Sequence, residues 1–293
     1  MSSSAAPAQV QPEISEIEQW RRAYRAQRKR RSTAVAVAST LVAAVVLWLA
    51  VTHTPGWHET QQTFFSGHQF AKSFPAVAKG LWLNVRILLV SEAFILLIGL
   101  VVALLRTTQA AVSAPLRVIG ALYVDIFRGC PLLVWLYLFA FGVPAMRLSW
   151  LPKDPIVWGT VAISLCYGSY VAEVFRAGIQ SIHPSQQAAA RSLGLTQQQT
   201  LRLVVLPQAV RAVLPPLLND FVALQKDVGL ISIVAGTSID AIKAAQIDNY
   251  ATFNFTPYVI AALLFIALAV PSAHIADAIG ARMNSRQRAG APV

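Results

Sequence analysis

The apolar runs of this chain are too long for an ordinary soluble core. Ser32–Val51 is a run of 20 residues without a charged side chain, and about 20 such residues in a helix cross the hydrocarbon core of a bilayer. Together with five further runs it predicts six membrane spans: Ser32–Val51, Leu81–Leu105, Val118–Val143, Ile156–Phe175, Leu206–Val234 and Tyr258–Ile279. Because a bilayer cannot satisfy exposed backbone polar groups, we expect an all-α polytopic membrane protein with about six transmembrane helices.

The distribution of charge predicts how these spans are oriented. Only 13% of the residues are charged and the net charge is +11, whereas soluble domains carry about 25% charged residues. With the N-terminus in the cytoplasm, sixteen lysines and arginines fall on the cytoplasmic side and five on the opposite side. This asymmetry predicts that both termini are cytoplasmic. Topology therefore explains the basic balance, and nucleic acid is not required as a partner.

Charged side chains inside the predicted spans mark candidate functional residues, because charge in a bilayer is costly. Asp125 and Arg128 lie three residues apart and share a helix face. Glu173 and Arg176 have the same spacing at the end of the fourth span. We interpret the first pair as a structural ion pair and the second as an interfacial anchor, with a pathway role as the alternative. Pro131, just after the first pair, predicts a break or kink.

The fifth predicted span contains an acidic stripe. Asp220 and Asp227 are seven residues apart, which is two helical turns, so they face the same side if the helix is unbroken. Such a stripe beside a water-filled path could receive the ammonium group of an amino acid. Alternatively, Lys226 or Arg86 neutralises the two acids structurally. Both interpretations are open on the sequence alone.

A polar, helix-prone stretch, HPSQQAAARSLGLTQQQTLRLVVLP (183–207), separates the fourth and fifth spans. Thr196 and Gln199 form the Thr-x-x-Gln pattern of a capping box, and Gly194 stands where the preceding helix should end. Two short helices around a glycine turn fit a DNA-binding helix-turn-helix, or a loop that docks on a partner protein. A loop held at both ends by membrane helices has little room to enter a DNA groove, which favours docking.

This stretch resembles the EAA loop of ABC-transporter permease subunits. The resemblance rests on Ala188–Ala190, on Gly194 with nine residues after it, and on the close at Val204 and Leu206–Pro207. Three further stretches are similar to the polar amino-acid permeases of that family: DIFRGCPLLVWL (125–136), YGSYVAEVFRAGIQSI (167–182) and LPQAVRAVLPPLLNDFVALQKD (206–227). The four motifs are collinear over residues 80–280. Ala188 stands where the family motif has its glutamate, and Val228 and Gly229 replace a Thr-Ser pair.

The resemblance implies a permease subunit of an ATP-driven importer of polar amino acids in the cytoplasmic membrane of a bacterium. The implied partners are an ATPase dimer, an extracytoplasmic solute-binding protein, a second permease chain of the same or a homologous sequence, and membrane lipid. The implied ATPase-coupling residues are Ala188, Ala189, Ala190, Gly194, Leu201, Val204, Leu206 and Pro207. The candidate substrate pathway comprises Asp125, Arg128, Glu173, Asp220, Lys226 and Asp227.

An apolar face of the same loop is expected to seat in a groove of the ATPase. Its side chains are Leu193, Leu195, Leu201, Val204 and Val205. The alternative is that this face packs against the protein's own helices.

The remaining motifs restrict the chemistry of the chain itself. No GxxxxGK[ST] phosphate loop occurs in the sequence, so we expect ATP to bind a partner subunit, no cofactor to bind this chain, and the chain to be no enzyme. Its histidines and cysteines lack metal-ligand spacing. An ion-coupled secondary transporter is the alternative function. The expected organisation is a disordered basic cytoplasmic tail (1–31), an extra transmembrane helix (32–51), the permease domain (80–280) and a cytoplasmic C-terminal tail (281–293).

Overall fold

The computed structural model describes residues 16–107 and 114–289, and in this part of the chain every regular element is helical. Contacts divide the chain into two compact units, residues 1–61 and residues 62–293. Five helices of the described residues are long and apolar enough to cross a membrane, and a bent helix pair makes a sixth span if it is counted as one. The predicted all-α polytopic fold class is confirmed.

The first unit holds helix α1, Glu16–Thr52, which runs unbroken from a basic segment into an apolar one. Its part Arg30–Thr52 is a candidate span, in agreement with the predicted first span. The predicted disordered tail is wrong from Glu16 onward. Glu, Gln, Ala and Arg are good helix formers, and here they extend a helix that the apolar part has already nucleated. Residues 1–15 lie outside the described residues.

The second unit begins near α2, Trp57–Phe64, and its first long helix is α3, Gly67–Thr107. α3 has 41 residues and starts well before the predicted span at Leu81. At about 1.5 Å per residue it is about 60 Å long, roughly twice the hydrocarbon thickness of a bilayer. Its N-terminal part therefore lies outside the hydrocarbon core.

The third predicted span is broken, as Gly129 and Pro131 indicate. α4, Ala114–Gly129, is bent by 103° from the segment Leu132–Ala145, which begins with α5, Leu132–Tyr137. Proline lacks an N–H group and restricts the residue before it, so the helix cannot continue smoothly through this point. The segment is completed by a π-helical turn, Leu138–Gly142, and by α6, Val143–Ala145.

The remaining elements form the core and the loop that joins its last long helices. They are α7 (Pro155–Gln180), α8 (Pro184–Ser192), α9 (Gln197–Thr200), a π-helical turn (Leu201–Val205), α10 (Leu206–Asp227), a 3-10 helix (Val228–Ile233), α11 (Ala241–Thr252) and α12 (Thr256–Ala289). The sequence reasoning did not predict α11. Because α12 continues to Ala289, most of the predicted C-terminal tail is helical, and residues 290–293 lie outside the described residues.

α7 is the central helix of the second unit and packs on α3, α4, α5 and α10. Small residues allow these helices to approach closely. A Cβ atom added to Gly99 of α3 would lie 2.5 Å from Cγ1 of Val171 on α7. A Cβ atom added to Gly178 of α7 would lie even closer to Cγ1 of Val213 on α10. A larger residue at either glycine would force the helices apart.

A buried polar cluster ties α3 to the segment between α10 and α11. Asn84, which is 2% exposed, donates from Nδ2 to Asp240 Oδ2 at 3.0 Å and to the Val228 carbonyl oxygen at 3.4 Å. Its Oδ1 accepts a hydrogen bond from the backbone N–H of Ala241 at 3.1 Å. Burial raises the pKa of Asp240, against the opposing effect of the hydrogen bonds from Asn84 and from the Lys243 backbone. This cluster fixes the position of α11.

Candidate functional site

A cavity of about 370 Å³ lies between α5, α7 and α10, and we call it the acidic cavity. Ligand pockets for small molecules begin at about 300 Å³, so the space suits one small ligand. α10 supplies two carboxylates, α7 supplies two tyrosines, and α5 contributes one apolar side chain. The lining residues are Leu132, Cys166, Tyr167, Tyr170, Asp220, Ala223 and Asp227.

The predicted acidic stripe is confirmed. α10 is unbroken up to Asp227, so Asp220 and Asp227 face the same cavity. The hydroxyl of Tyr167 donates a hydrogen bond to Asp227 Oδ2 at 2.7 Å. Asp220 Oδ2 is buried and has no hydrogen-bond partner among the described residues. Because an unpaired buried carboxylate is costly, the cavity is suited to bind a cation or a hydrogen-bond donor.

Neither Lys226 nor Arg86 forms an ion pair with the two acids of the cavity within the described part of the chain. Lys226 is exposed, and Arg86 lines a different groove, between α3 and α7. Glu92 of α3 lies within electrostatic range of Asp220 and adds a further acid. The lining of the acidic cavity therefore contains two acidic side chains and, among the described residues, no basic one.

The structure does not bring Asp125 and Arg128 into an ion pair in the region it describes. Both side chains are exposed on α4. The guanidinium carbon of Arg128 instead lies 5.2 Å from the centre of the Tyr170 ring, within the range of a cation–π contact. Since Tyr170 lines the acidic cavity, Arg128 places one positive charge beside it.

The predicted pair of Glu173 and Arg176 is confirmed, and a third residue joins it. Nε of Arg176 donates to both carboxylate oxygens of Glu173 at 3.0 Å. Nη1 of Arg106, at the end of α3, donates to Glu173 Oε2 at 2.8 Å. This cluster joins the ends of α3 and α7, and Glu173 does not line the acidic cavity.

Sequence reasoning identified the acids but missed the aromatic side of the cavity. Tyr167 and Tyr170 are three residues apart on α7 and so share a face. Cys166, interpreted as a small hydrophobic residue, is a free thiol that also lines the cavity. The tyrosine spacing is a usable signal, but it becomes a site only when the orientation of α7 towards α10 is known.

The coupling loop (residues 183–207) has the predicted glycine turn and capping box. α8 begins after His183, whose Nδ1 accepts a hydrogen bond from the backbone N–H of Ser185 at 3.2 Å. Gly194 has a φ of +85°, a left-handed conformation that ends many helices. The Thr196 hydroxyl accepts from the Gln199 N–H at 3.3 Å, and Gln199 Oε1 accepts from the Thr196 N–H at 2.9 Å.

The two short helices predicted for the loop are α8 and α9, and the second of them continues into the next membrane span. α9 passes through the π-helical turn directly into α10, so Gln197–Ile233 is one continuous helical segment. The widened turn precedes Pro207, which has no N–H to donate into the turn before it. A helix that begins a membrane span is not free to enter a DNA groove. The segment instead joins the coupling loop to Asp220 and Asp227.

Part of the predicted apolar face of the loop is buried in the protein, and part of it is exposed. Val205 and Ala190 are buried against the protein's own chain, which corrects the assignment of Val205 to the docking face. Leu193 is 84% exposed and Leu201 57%, and Leu203, which the sequence reasoning left out, is 64% exposed. Of the other predicted residues, Ala188, Ala189, Leu206 and Pro207 are exposed, whereas Leu195 and Val204 are half-buried. Three exposed leucines within eleven residues of one loop fit a contact with another protein.

A family model, related sequences and a solved structure all identify transport proteins as similar to this chain. The family model described as binding-protein-dependent transport system inner membrane component matches residues 95–285. The chain is 37% identical over 175 residues to a probable glutamine ABC transporter permease of Bacillus subtilis (strain 168), covering 59% of this chain and 77% of that protein. It is 30% identical over 212 residues to an arginine transport system permease of the same organism, covering 72% and 94%. A solved structure, the crystal structure of an amino acid ABC transporter with histidines, is similar with a TM-score of 0.65 and 30% identity, covering 73% and 97%.

Proposed function

Because the chain belongs to the family of binding-protein-dependent transport system inner membrane components, it is the membrane-spanning permease subunit of an importer, and we propose that its cargo is a polar amino acid. ATP is hydrolysed by a separate subunit of the importer, and the permease is not itself an enzyme. The names of similar permeases, for glutamine and for arginine, support an amino-acid cargo without choosing between them.

The observation that carries the proposal is Asp220, which lines the acidic cavity and has a carboxylate oxygen without a hydrogen-bond partner among the described residues. The ammonium group of an amino acid would supply the missing donors, and hydrogen bonds between charged groups are the strong ones. Arg128, held over Tyr170, is placed to receive the substrate carboxylate. The excess of acids in the cavity disfavours a substrate with an acidic side chain.

Three of the predicted pathway residues belong to this proposed site, namely Asp220, Asp227 and Arg128. The other predicted pathway residues, Asp125, Glu173 and Lys226, do not line the cavity, and their role stays a prediction.

Family membership implies an ATPase partner and a substrate-binding protein. The proposed composition is two ATPase copies and a second permease chain, the same or homologous. In this arrangement Leu193 and Leu201 of the coupling loop seat in a groove of the ATPase. Ala188 offers no carboxylate to that partner, so apolar contact dominates the docking. The proposal includes no cofactor on this chain.

The test is uptake by proteoliposomes that contain the purified complex, with ATP inside and the binding protein outside. Radiolabelled glutamine, arginine and glutamate are offered in turn. We expect uptake of glutamine or arginine, only with ATP and with both partners present. Uptake driven by an ion gradient without ATP would instead establish the secondary transporter, which family membership does not favour. A complex that hydrolyses ATP but takes up no amino acid would show that the cargo is wrong.

The proposed location is the cytoplasmic membrane of a bacterium, with both termini in the cytoplasm. The support is the charge asymmetry of sixteen against five. The two free cysteines are first replaced, and single cysteines are then introduced by Lys243→Cys and Gln198→Cys. A membrane-impermeant thiol reagent should label Lys243→Cys from outside and Gln198→Cys only after the membrane is opened. Labelling of both from one side would contradict this topology.

A further inference from the structure

A second cavity, of about 520 Å³, lies on a different face of α7, and we call it the α3–α7 groove. Its walls come in equal parts from the two helices, at the three- and four-residue spacing of single helix faces. Val90 and Phe94 on α3 are 49% and 53% exposed, so the groove is open to the surroundings of the helices along its length. Other residues that line the two walls include Ile98 of α3 and Val161 and Leu165 of α7.

The wall of the α3–α7 groove is apolar except at one end. The hydroxyl of Thr160 donates to the Ile156 carbonyl at 2.8 Å, and that of Ser164 donates to the Thr160 carbonyl at 2.7 Å. Both polar groups in the wall are thereby turned to their own helix. Among the described residues that line the groove, Arg86 is the only charged one. It has no hydrogen-bond or ion-pair partner in the described part of the chain.

The position of Arg86 along α3 places it at a membrane interface. Arg106, in its ion pair with Glu173, marks the coupling-loop end of the same helix. The two arginines are 20 residues apart, which corresponds to about 30 Å of helix, the thickness of the hydrocarbon core. Trp82, one turn beyond Arg86, is 61% exposed, as expected of an interfacial tryptophan.

The groove has the depth of one leaflet. Arg86 and Ile98 are 12 residues apart on α3, which is about 18 Å, slightly more than half of the hydrocarbon core. At the inner end, Tyr123 of α4 donates to the Leu165 carbonyl at 2.6 Å. α4 packs on both α3 and α7, but the chain then turns by 103° and α5 packs on α7 and the π-helical turn after it.

We propose that the α3–α7 groove binds one phospholipid from the leaflet opposite the coupling loop. The phosphate is held by Arg86, whose planar guanidinium forms paired hydrogen bonds with phosphate oxygens. An acyl chain lies along Val90, Phe94 and Ile98. Charge complementarity selects this occupant, because a phospholipid brings an acyl chain to the apolar wall and a phosphate to the interfacial depth of Arg86, whereas an apolar helix of a second copy would offer Arg86 no anion.

The experiment uses the full chain in its assembled complex, in membranes of phosphatidylglycerol and phosphatidylethanolamine. The photoreactive residue benzoylphenylalanine replaces Val161 in the groove or, as the matched control, Leu97, which is 58% exposed on the same helix pair. After detergent extraction and illumination, intact-protein mass spectrometry reports the adduct. We expect a phospholipid adduct at Val161 even after detergent extraction, and none at Leu97. A crosslink from Val161 to a second protein chain, or no persistent lipid, would overturn the proposal.

A second arm tests the anion site directly. Arg86→Gln should lower the adduct at Val161 about tenfold, because it removes a hydrogen-bonded charge, whereas Arg86→Lys should retain most of it. Lys153→Gln, an exposed cation before α7, should change nothing. An unchanged adduct in Arg86→Gln would contradict the assignment. If Arg86→Gln does not accumulate, the comparison of Val161 with Leu97 in the otherwise native chain still decides.

Discussion

The end of the coupling loop and the two acids of the acidic cavity lie on one continuous helical segment, Gln197–Ile233, yet the loop and the cavity each contain side chains of the kind their surroundings disfavour. Leu193 and Leu201 are exposed at the loop, where apolar surface is costly in water. Asp220 and Asp227 face a cavity among membrane helices, where charge is costly. In the apolar core on α7, by contrast, the side chains suit their surroundings.

This contrast distinguishes surfaces that are complete from surfaces that need another molecule. The Glu173 cluster and the Asn84–Asp240 cluster are charged or polar, but their groups are partnered within the chain. The oxygen of Asp220 has no partner among the described residues. Substitutions at completed clusters should therefore affect stability, and substitutions at the loop and the cavity should affect function.

Asp220→Asn is expected to have the largest functional effect. Loss of a buried charge-assisted contact with the substrate should reduce uptake roughly a hundredfold. The melting temperature of the complex should stay the same or rise, because an unpartnered buried carboxylate is removed. Uptake by proteoliposomes and thermal unfolding measure the two effects. Asp277→Asn, at an exposed acid of α12, is the control and should change neither.

A fall in melting temperature together with uptake in Asp220→Asn would reverse this interpretation. Asp220 would then be a structural residue, and the comparison between completed and incomplete surfaces would fail at the cavity.

Leu201→Asp is the corresponding change at the coupling loop. An unpaired charge at the proposed apolar interface should weaken association with the ATPase about tenfold to a hundredfold. Pull-down of the ATPase at graded salt concentrations measures this effect. Gln198→Asp adds the same charge at an exposed polar position of the loop and should leave the complex intact. If Leu201→Asp binds normally while moderate salt separates the native complex, ion pairs rather than apolar contact hold the loop.

Gly194→Val should uncouple transport from ATP hydrolysis without removing the spans from the membrane. No heavy atom lies within 4 Å of a Cβ placed at this position, so the cost arises from the φ of +85°. Left-handed backbone costs a side-chain-bearing residue about 1–2 kcal/mol, enough to shift the loop conformation roughly tenfold. Substrate-stimulated ATP hydrolysis is the measurement. Gly194→Asn, which tolerates this conformation, should stay coupled, and equal loss in both variants would refute the backbone explanation.

Thr196→Ala should have the smallest effect. Removal of an N-cap side chain costs about 1 kcal/mol of local helix stability, and here it opens the capping box with Gln199. Hydrogen exchange of the α9 amides should become about fivefold faster, with uptake nearly unchanged. Ser192→Ala, whose hydroxyl bonds only within α8, is the control. Unchanged exchange in Thr196→Ala would show that the box does not hold the start of α9.

Features set by local pattern were predictable from the sequence. The apolar run before Val51, the break at Pro131 and the capping box at Thr196 each depend on neighbouring residues, and each is found in the structure. The common orientation of Asp220 and Asp227 likewise needs only an unbroken helix.

Features that depend on contacts distant in sequence were not predictable. Asn84 meets Asp240 across 156 residues, and no local pattern identifies α11 or its anchor. The burial of Val205 and the cation–π contact of Arg128 depend on which neighbour lies opposite. The helix from Glu16 onward is not evident from the polar composition of these residues, because they extend a membrane helix that follows them in the chain.

The π-helical turn Leu201–Val205 sets an angular phase between the two ends of its helix. Such a turn holds one residue more than an α-helical turn, and each residue of an α-helix advances by about 100°. The part of the segment that precedes Leu201 is therefore rotated by roughly 100° about the axis of α10, compared with its direction in a regular α-helix. Deleting one residue there would swing Gly194 and its leucines to another side of the axis while Asp220 and Asp227 kept their direction. The alignment of the proposed ATPase-facing end with the proposed substrate-facing end is thus set by one additional residue in this turn.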